Sequence, residues 1–153
     1  MRKATSKNGR EVTILEWEDC DGEIEHAPAS PFGALVVIRK IPKEKGKVEA
    51  LAKRLLETGC GWATLHGDGR VTDRLHKAFD KAIVDYDLKH GGAEMGTSGE
   101  VEDDLEEAMR DAVYDGRPHY GEAFGGLLVL IIGEPDTKLA ERAESLAASV
   151  EDM

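Results

Sequence analysis

His66 and Asp68 stand two residues apart in the segment His66-Gly67-Asp68-Gly69-Arg70, directly after an apolar run that reads as a strand. An imidazole has an ordinary pKa of about 6.5, so a carboxylate placed to orient it would make acid or base work available. Arg70 opens the helical pattern that follows, and Thr97 and Ser98 precede another one. Together His66, Asp68, Arg70, Thr97 and Ser98 form the candidate set for a small hydrolase or a ligand-sensing domain. The competing reading of His66-Gly67-Asp68-Gly69 is turn chemistry, in which glycines supply positive φ and Asp68 caps the next helix. The tetrapeptide has neither the G-x-G-x-x-G spacing of a dinucleotide loop nor the G-x-x-x-x-G-K-[ST] spacing of a P-loop, so a nucleotide gains little support.

Other combinations are weaker. The glycine-rich stretch from Gly91 to Gly99 precedes a helical pattern, a place where backbone amides cradle phosphate in other proteins. Here Glu100, Glu102, Asp103 and Asp104 fill the following turn and would repel it. Cys60 begins a strand, away from the carboxyl edge, and no G-x-S-x-G elbow occurs, so Cys60 reads as a packed, inert thiol. Cys20 and Cys60 do not have metal-site spacing, and His26, His76, His90 and His119 show no H-E-x-x-H pattern. Neither a metal nor a cofactor is therefore expected.

Charge is the least generic feature. The chain carries 31 acidic and 20 basic side chains, a formal net charge of −11, which argues against generic binding to nucleic acid or to anionic membranes. Basic residues dominate from Arg39 to Glu57, whereas Glu100 to Asp115 is acidic with Arg110 as its one basic residue. Such runs ordinarily serve as solvated faces. The sharper reading makes Glu102, Asp103, Glu106, Glu107 and Asp111, with the acidic loop from Glu16 to Glu25, a surface that steers a basic protein partner.

These residues must be held by secondary structure, and hydrophobic periodicity indicates which. Residues 1–10 read as a disordered lead-in before a strand over 12–17 and an acidic loop over 18–31. The uninterrupted aliphatic runs Ala34–Ile38 and Leu127–Ile132 predict strands covered on both faces, and so neighbours in a sheet. Between them the pattern predicts a helix over 44–58 ended by Gly59 and a strand over 60–65. A helix from about residue 72 to 84 and a short strand near 94–98 follow. Thr97 and Glu100 have the spacing of a capping box, predicting a helix through Ala112, and a last helix is expected over 136–150 with Asp136 or Thr137 at its start.

Strands that alternate with helices imply parallel crossovers, hence one α/β domain over 11–153: a three-layer sandwich with a mostly parallel sheet of four to five strands and about four helices, Rossmann-like or flavodoxin-like. The stretch 123–132 is the longest apolar one, about half of what a helix needs to cross a bilayer. With no export signal at the N-terminus and two cysteines that do not amount to a disulfide framework, a cytoplasmic home is expected.

Cys60-Gly61-Trp62, His66 to Arg70, Leu75 to Asp80, and Glu94 to Ser98 leading into Asp104 to Ala108 resemble a small bacterial family of Rossmann-like domains. The resemblance implies that fold, without an established activity or catalytic residues to carry over. The first expectation is therefore a non-catalytic binding or regulatory module, of accessory or inhibitor type, that docks a protein partner through its acidic surface. The second is the hydrolase or ligand sensor around His66.

Overall fold

The computed structural model describes residues 1–40, 42–44, 46–67, 69–91, 95–100, 104–115 and 125–152. In chain order the elements are β1 (Arg2–Thr5), β2 (Glu11–Trp17), β3 (Phe32–Ile38), α1 (Lys47–Thr58), β4 (Cys60–His66), α2 (Gly69–His90) and β5 (Gly96–Glu100). Next come α3 (Leu105–Arg110), which runs into a π-helical turn over Asp111–Asp115, β6 (Leu127–Ile132) and α4 (Thr137–Ser149).

The strands form one sheet in the order β1-β2-β6-β3-β4-β5, antiparallel only between β1 and β2. As the runs without polar alternation predict, β3 and β6 are neighbours, in register from Ala34 opposite Leu128 to Ile38 opposite Ile132. Every residue of both strands is buried. One layer, α1 and α2, covers the face carrying Val36, Leu65 and Leu130, while α3, its π turn and α4 cover the face carrying Leu35, Val37 and Val129. The parallel strands run β2-β6-β3-β4-β5, which is neither the Rossmann nor the flavodoxin order, because the last strand enters between the first two.

Residues 2–5 are a strand rather than part of a disordered lead-in. Their exposure alternates, with Arg2 and Ala4 half-buried against the sheet's α4 side and Lys3 and Thr5 exposed. Arg2 donates to Glu144 of α4 at 2.8 Å, and Gly9, at φ 86°, closes the hairpin into β2. This polar edge strand raises the count to six.

Element ends moved for local reasons. Gly46, at φ 86°, delays α1 to Lys47, and α2 persists to His90, where Gly91 at φ 72° stops it. The capping box does not form. Residues 96–100 instead pair with 62–66 as β5, and Gly96 leaves room for the Trp62 ring, which a Cβ there would meet at 2.3 Å. Asp104 caps α3 by accepting from the Glu106 amide at 2.9 Å, and Asp136 caps α4 through the Leu139 amide at 3.1 Å.

At the amino edge, the entry of β6 between β2 and β3 leaves no room for side chains. A Cβ on Gly126 would lie 2.6 Å from the Glu11 carbonyl, and one on Gly125 would lie 2.5 Å from that of Ala29. The buried Arg10 guanidinium fastens this junction, donating to Ala112 at 2.7 Å, Val113 at 3.0 Å and Gly126 at 3.1 Å. Two of these acceptors belong to the π turn, so one side chain ties β2, β6 and the α3 layer together.

Arg10→Met keeps the apolar stem but strands buried carbonyls, and should cost about 3 kcal/mol in urea unfolding. A change below about 0.5 kcal/mol would show that the clamp contributes nothing to stability.

Candidate functional site

In an open parallel sheet, ligands bind outside the carboxyl ends of the strands where neighbouring strands send their chains to opposite faces. Here β3 and β6 form one such boundary, and β4 and β5 form another, with α2 following β4 on the α1 face and α3 following β5 on the α4 face. The chain leaves β3 for α1 on one face and leaves β6 for α4 on the other. The loop after β2 also crosses on the α1 face, where Cys20, Ile24 and Ala27 join that core cluster.

A cleft of about 420 Å³ opens at the boundary of β3 and β6. Glu18 and Asp19 line it from the end of β2, Arg39, Lys40, Pro42 and Lys43 from the end of β3, and Ile132, Gly133 and Glu134 from the end of β6. The backbone between the strands is tied: the Gly133 amide donates to the Trp17 carbonyl at 2.9 Å and the Arg39 amide to the Ile132 carbonyl at 3.1 Å. Arg39 braces one wall, donating to the Glu134 carbonyl at 3.0 Å and pairing with Asp136 at 3.6 Å. Gly133 has φ 148°, and a Cβ there would press the Arg39 stem at 3.2 Å, so glycine suits both the backbone and the brace.

The acidic wall is held just as firmly. Lys47 of α1 pairs with Asp21 at 2.8 Å, and Arg54 donates to the Gly22 carbonyl at 2.5 Å and also to the Cys20 carbonyl. The Arg54 guanidinium lies 5.7 Å from the centre of the Trp17 ring, against which Gly22 packs closely. The acidic loop is therefore clamped to α1 rather than left as a free extension of the α3 surface.

His66 does reach the carboxyl edge, opposite Val37 on one side and Glu100 on the other, but it is 9% exposed and does not line this cleft. Arg70 is exposed in the first turn of α2, and Asp68 lies outside the described residues. Thr97 and Ser98 sit inside β5, opposite Ala63 and Thr64, not in a loop beyond a strand. Thr97 is three register positions, about 10 Å, from the rim at His66, and its hydroxyl contacts Asp80 at 3.4 Å. After β4, Thr72 donates to the Gly67 carbonyl at 3.0 Å, and a Cβ on Gly67 would strike Val71 at 2.5 Å, so glycine is needed at 67 for close approach rather than for a positive φ.

Of the proposed acidic docking residues, Glu102 and Asp103 lie outside the described residues. Glu106 and Glu107 both reach Arg110, Glu106 at 3.8 Å, and Asp111 is half-buried in the π turn. Among the described residues, no three His, Cys, Asp or Glu side chains converge as a metal site, and no helix is long and apolar enough to cross a membrane.

The cleft was only partly legible. In the sequence Arg39, Lys40 and Glu134 directly follow the aliphatic runs Ala34–Ile38 and Leu127–Ile132, but nothing there says that β2 and β6 adjoin and bring Glu18 and Asp19 to the same place.

No family model, curated protein or solved structure matches this chain, so the site is argued from its geometry.

Both thiols are buried and unpaired as a disulfide. Burial pushes Cys60 up to about 12, and burial reinforced by Asp19 and Asp21 pushes Cys20 up to about 11, from an ordinary 9.0. Below pH 9 the thiols are neutral in the folded and unfolded states alike. Above it the unfolded chain ionises first, so stability should fall as pH rises from 9 toward 11. Urea unfolding across that range should show the decline, and Cys60→Ala with Cys20→Ala should flatten it; an equal slope in the double variant would contradict this origin.

Proposed function

We propose that this chain is a non-catalytic binding module that takes a small ligand in the cleft between the carboxyl ends of β2, β6 and β3. The observation that carries the reading is the coincidence of that cleft with a boundary where adjacent strands, β3 and β6, send their chains to opposite faces. The rule locating ligands at such a point depends on connectivity at the rim and not on a particular strand order. Binding is preferred to catalysis because, among the described residues, the lining holds no imidazole, thiol or hydroxyl, and His66 is packed elsewhere on the rim.

A second reading retains a basic protein partner, and a different observation favours it. On the outer side of the α3 and α4 layer, Asp104, Glu106, Glu107, Glu141 and Glu144 outnumber Arg110, Lys138 and Arg142, whereas on α1 Lys47, Lys53 and Arg54 outnumber Glu49 and Glu57. A surface polarised in this way orients and accelerates an encounter with a basic patch. In that reading the module is an accessory or inhibitor-type protein of the cytoplasm.

Amide chemical-shift mapping separates the two. Small amino acids, carboxylates, sugar phosphates and nucleotides, each titrated to millimolar concentration, should include a class that shifts Glu18, Asp19, Arg39, Lys40, Gly133 and Glu134 together. If no class moves them, the cleft reading fails. A polylysine peptide that shifts α3 and α4 at low salt, with loss of the effect in Glu106→Lys, supports the second reading; no shift removes it.

A further inference from the structure

The walls of the cleft carry opposite charges. Glu18 and Asp19 belong to the loop after β2, Lys40 and Lys43 to the segment after β3, and β6 runs between. Two strand spacings separate the walls, about 10 Å from backbone to backbone. Long side chains close part of that distance, leaving a gap for a compact molecule. Among the described residues, Glu18, Lys40 and Lys43 form no ion pair, whereas the neighbouring Arg39, Lys47 and Arg54 are all committed to fastening the loops. Asp19 uses one carboxylate oxygen to accept from the Asp21 amide at 2.8 Å, which fixes its place on the wall. At the end of β6, between the walls, Ile132 supplies an apolar floor and Glu134 a further carboxylate, while Pro42 stands on the basic wall beside Lys43.

We infer that the cleft takes a zwitterion of the amino-acid class. This rests on the reading of the cleft as a ligand site. The ammonium group would lie against Glu18 and Asp19, the carboxylate against Lys40 and Lys43, and the body of the molecule over Ile132, beside Pro42. A purely anionic ligand would meet the carboxylates of the β2 wall, and a purely cationic one the two lysines. A zwitterion satisfies both walls at once, and charge-assisted hydrogen bonds at each end give the selectivity.

The test uses pooled free L-amino acids, their N-acetyl derivatives and their amides, titrated into the intact protein and read by amide shifts at Gly133 and Glu134. Free amino acids should bind, and each blocked series should bind at least roughly tenfold more weakly, since each loses one charge-assisted contact. Lys40→Glu with Lys43→Glu should invert the order of free acids and amides, making the amides the better ligands, an effect that loss of structure would not produce. If the N-acetyl derivatives or the amides bind as tightly as the free acids, the zwitterion inference is overturned while the ligand site stands. The same holds if only another chemical class shifts the cleft amides. If nothing shifts them, both the inference and the site reading fall.

Discussion

The burial of β6 on both faces and its pairing along both edges is the constraint on which the structure depends. Leu127 to Ile132 is the last strand to be made, yet it sits third in the sheet, between β2 and β3, and each of its residues is at most 5% exposed. A strand in that position has no solvated side, so its side chains are all aliphatic and its entrance is built from Gly125 and Gly126. Fully burying a side chain of this kind stabilises by about 1.5–3 kcal/mol, which makes β6 a principal source of cohesion between the two cores. Arg10 then secures the amino edge, where the chain has to squeeze in, and Arg39 secures the carboxyl edge, where it leaves.

The candidate site follows from that insertion. Because β6 separates β2 from β3, the loops on either side are held two strand spacings apart, and because β6 turns away to α4, nothing of its own fills the gap on the α1 face. The acidic loop is pulled over by Lys47 and Arg54 and the basic segment is braced through Arg39. A cleft with one acidic wall and one basic wall is the result, in a protein whose net charge of −11 would by itself suggest only an acidic surface. The charges that matter locally are set by which loops adjoin.

Much of this fold can be read from the residues. Uninterrupted aliphatic runs identify β3 and β6 as central strands and correctly make them neighbours, because only a doubly covered strand can dispense with polar alternation. The glycine after Thr58 and the aspartate before Thr137 mark helix ends by their chemistry. Four-residue β1 escapes detection because Arg2 and Lys3 give it the look of a solvated tail, and its partner is a hairpin whose turn depends on Gly9. Thr97 misleads because a capping box has little strength against an available strand edge on β4. The cleft is the least legible feature: Asp19 and Glu134 are far apart in the chain, and the strand order that unites them is a tertiary outcome. His66, by contrast, is legible as a strand-end residue, but burial within the rim cannot be read from its neighbours.

Residue-resolved amide hydrogen exchange across β6 tests most directly whether this strand is the structural centre. If it is, the amides of Leu128 to Ile132 exchange only through global unfolding, with protection equal to the stability measured by urea. Protection no greater than that of the edge strands β1 and β5 would contradict the insertion, and with it the origin of the cleft.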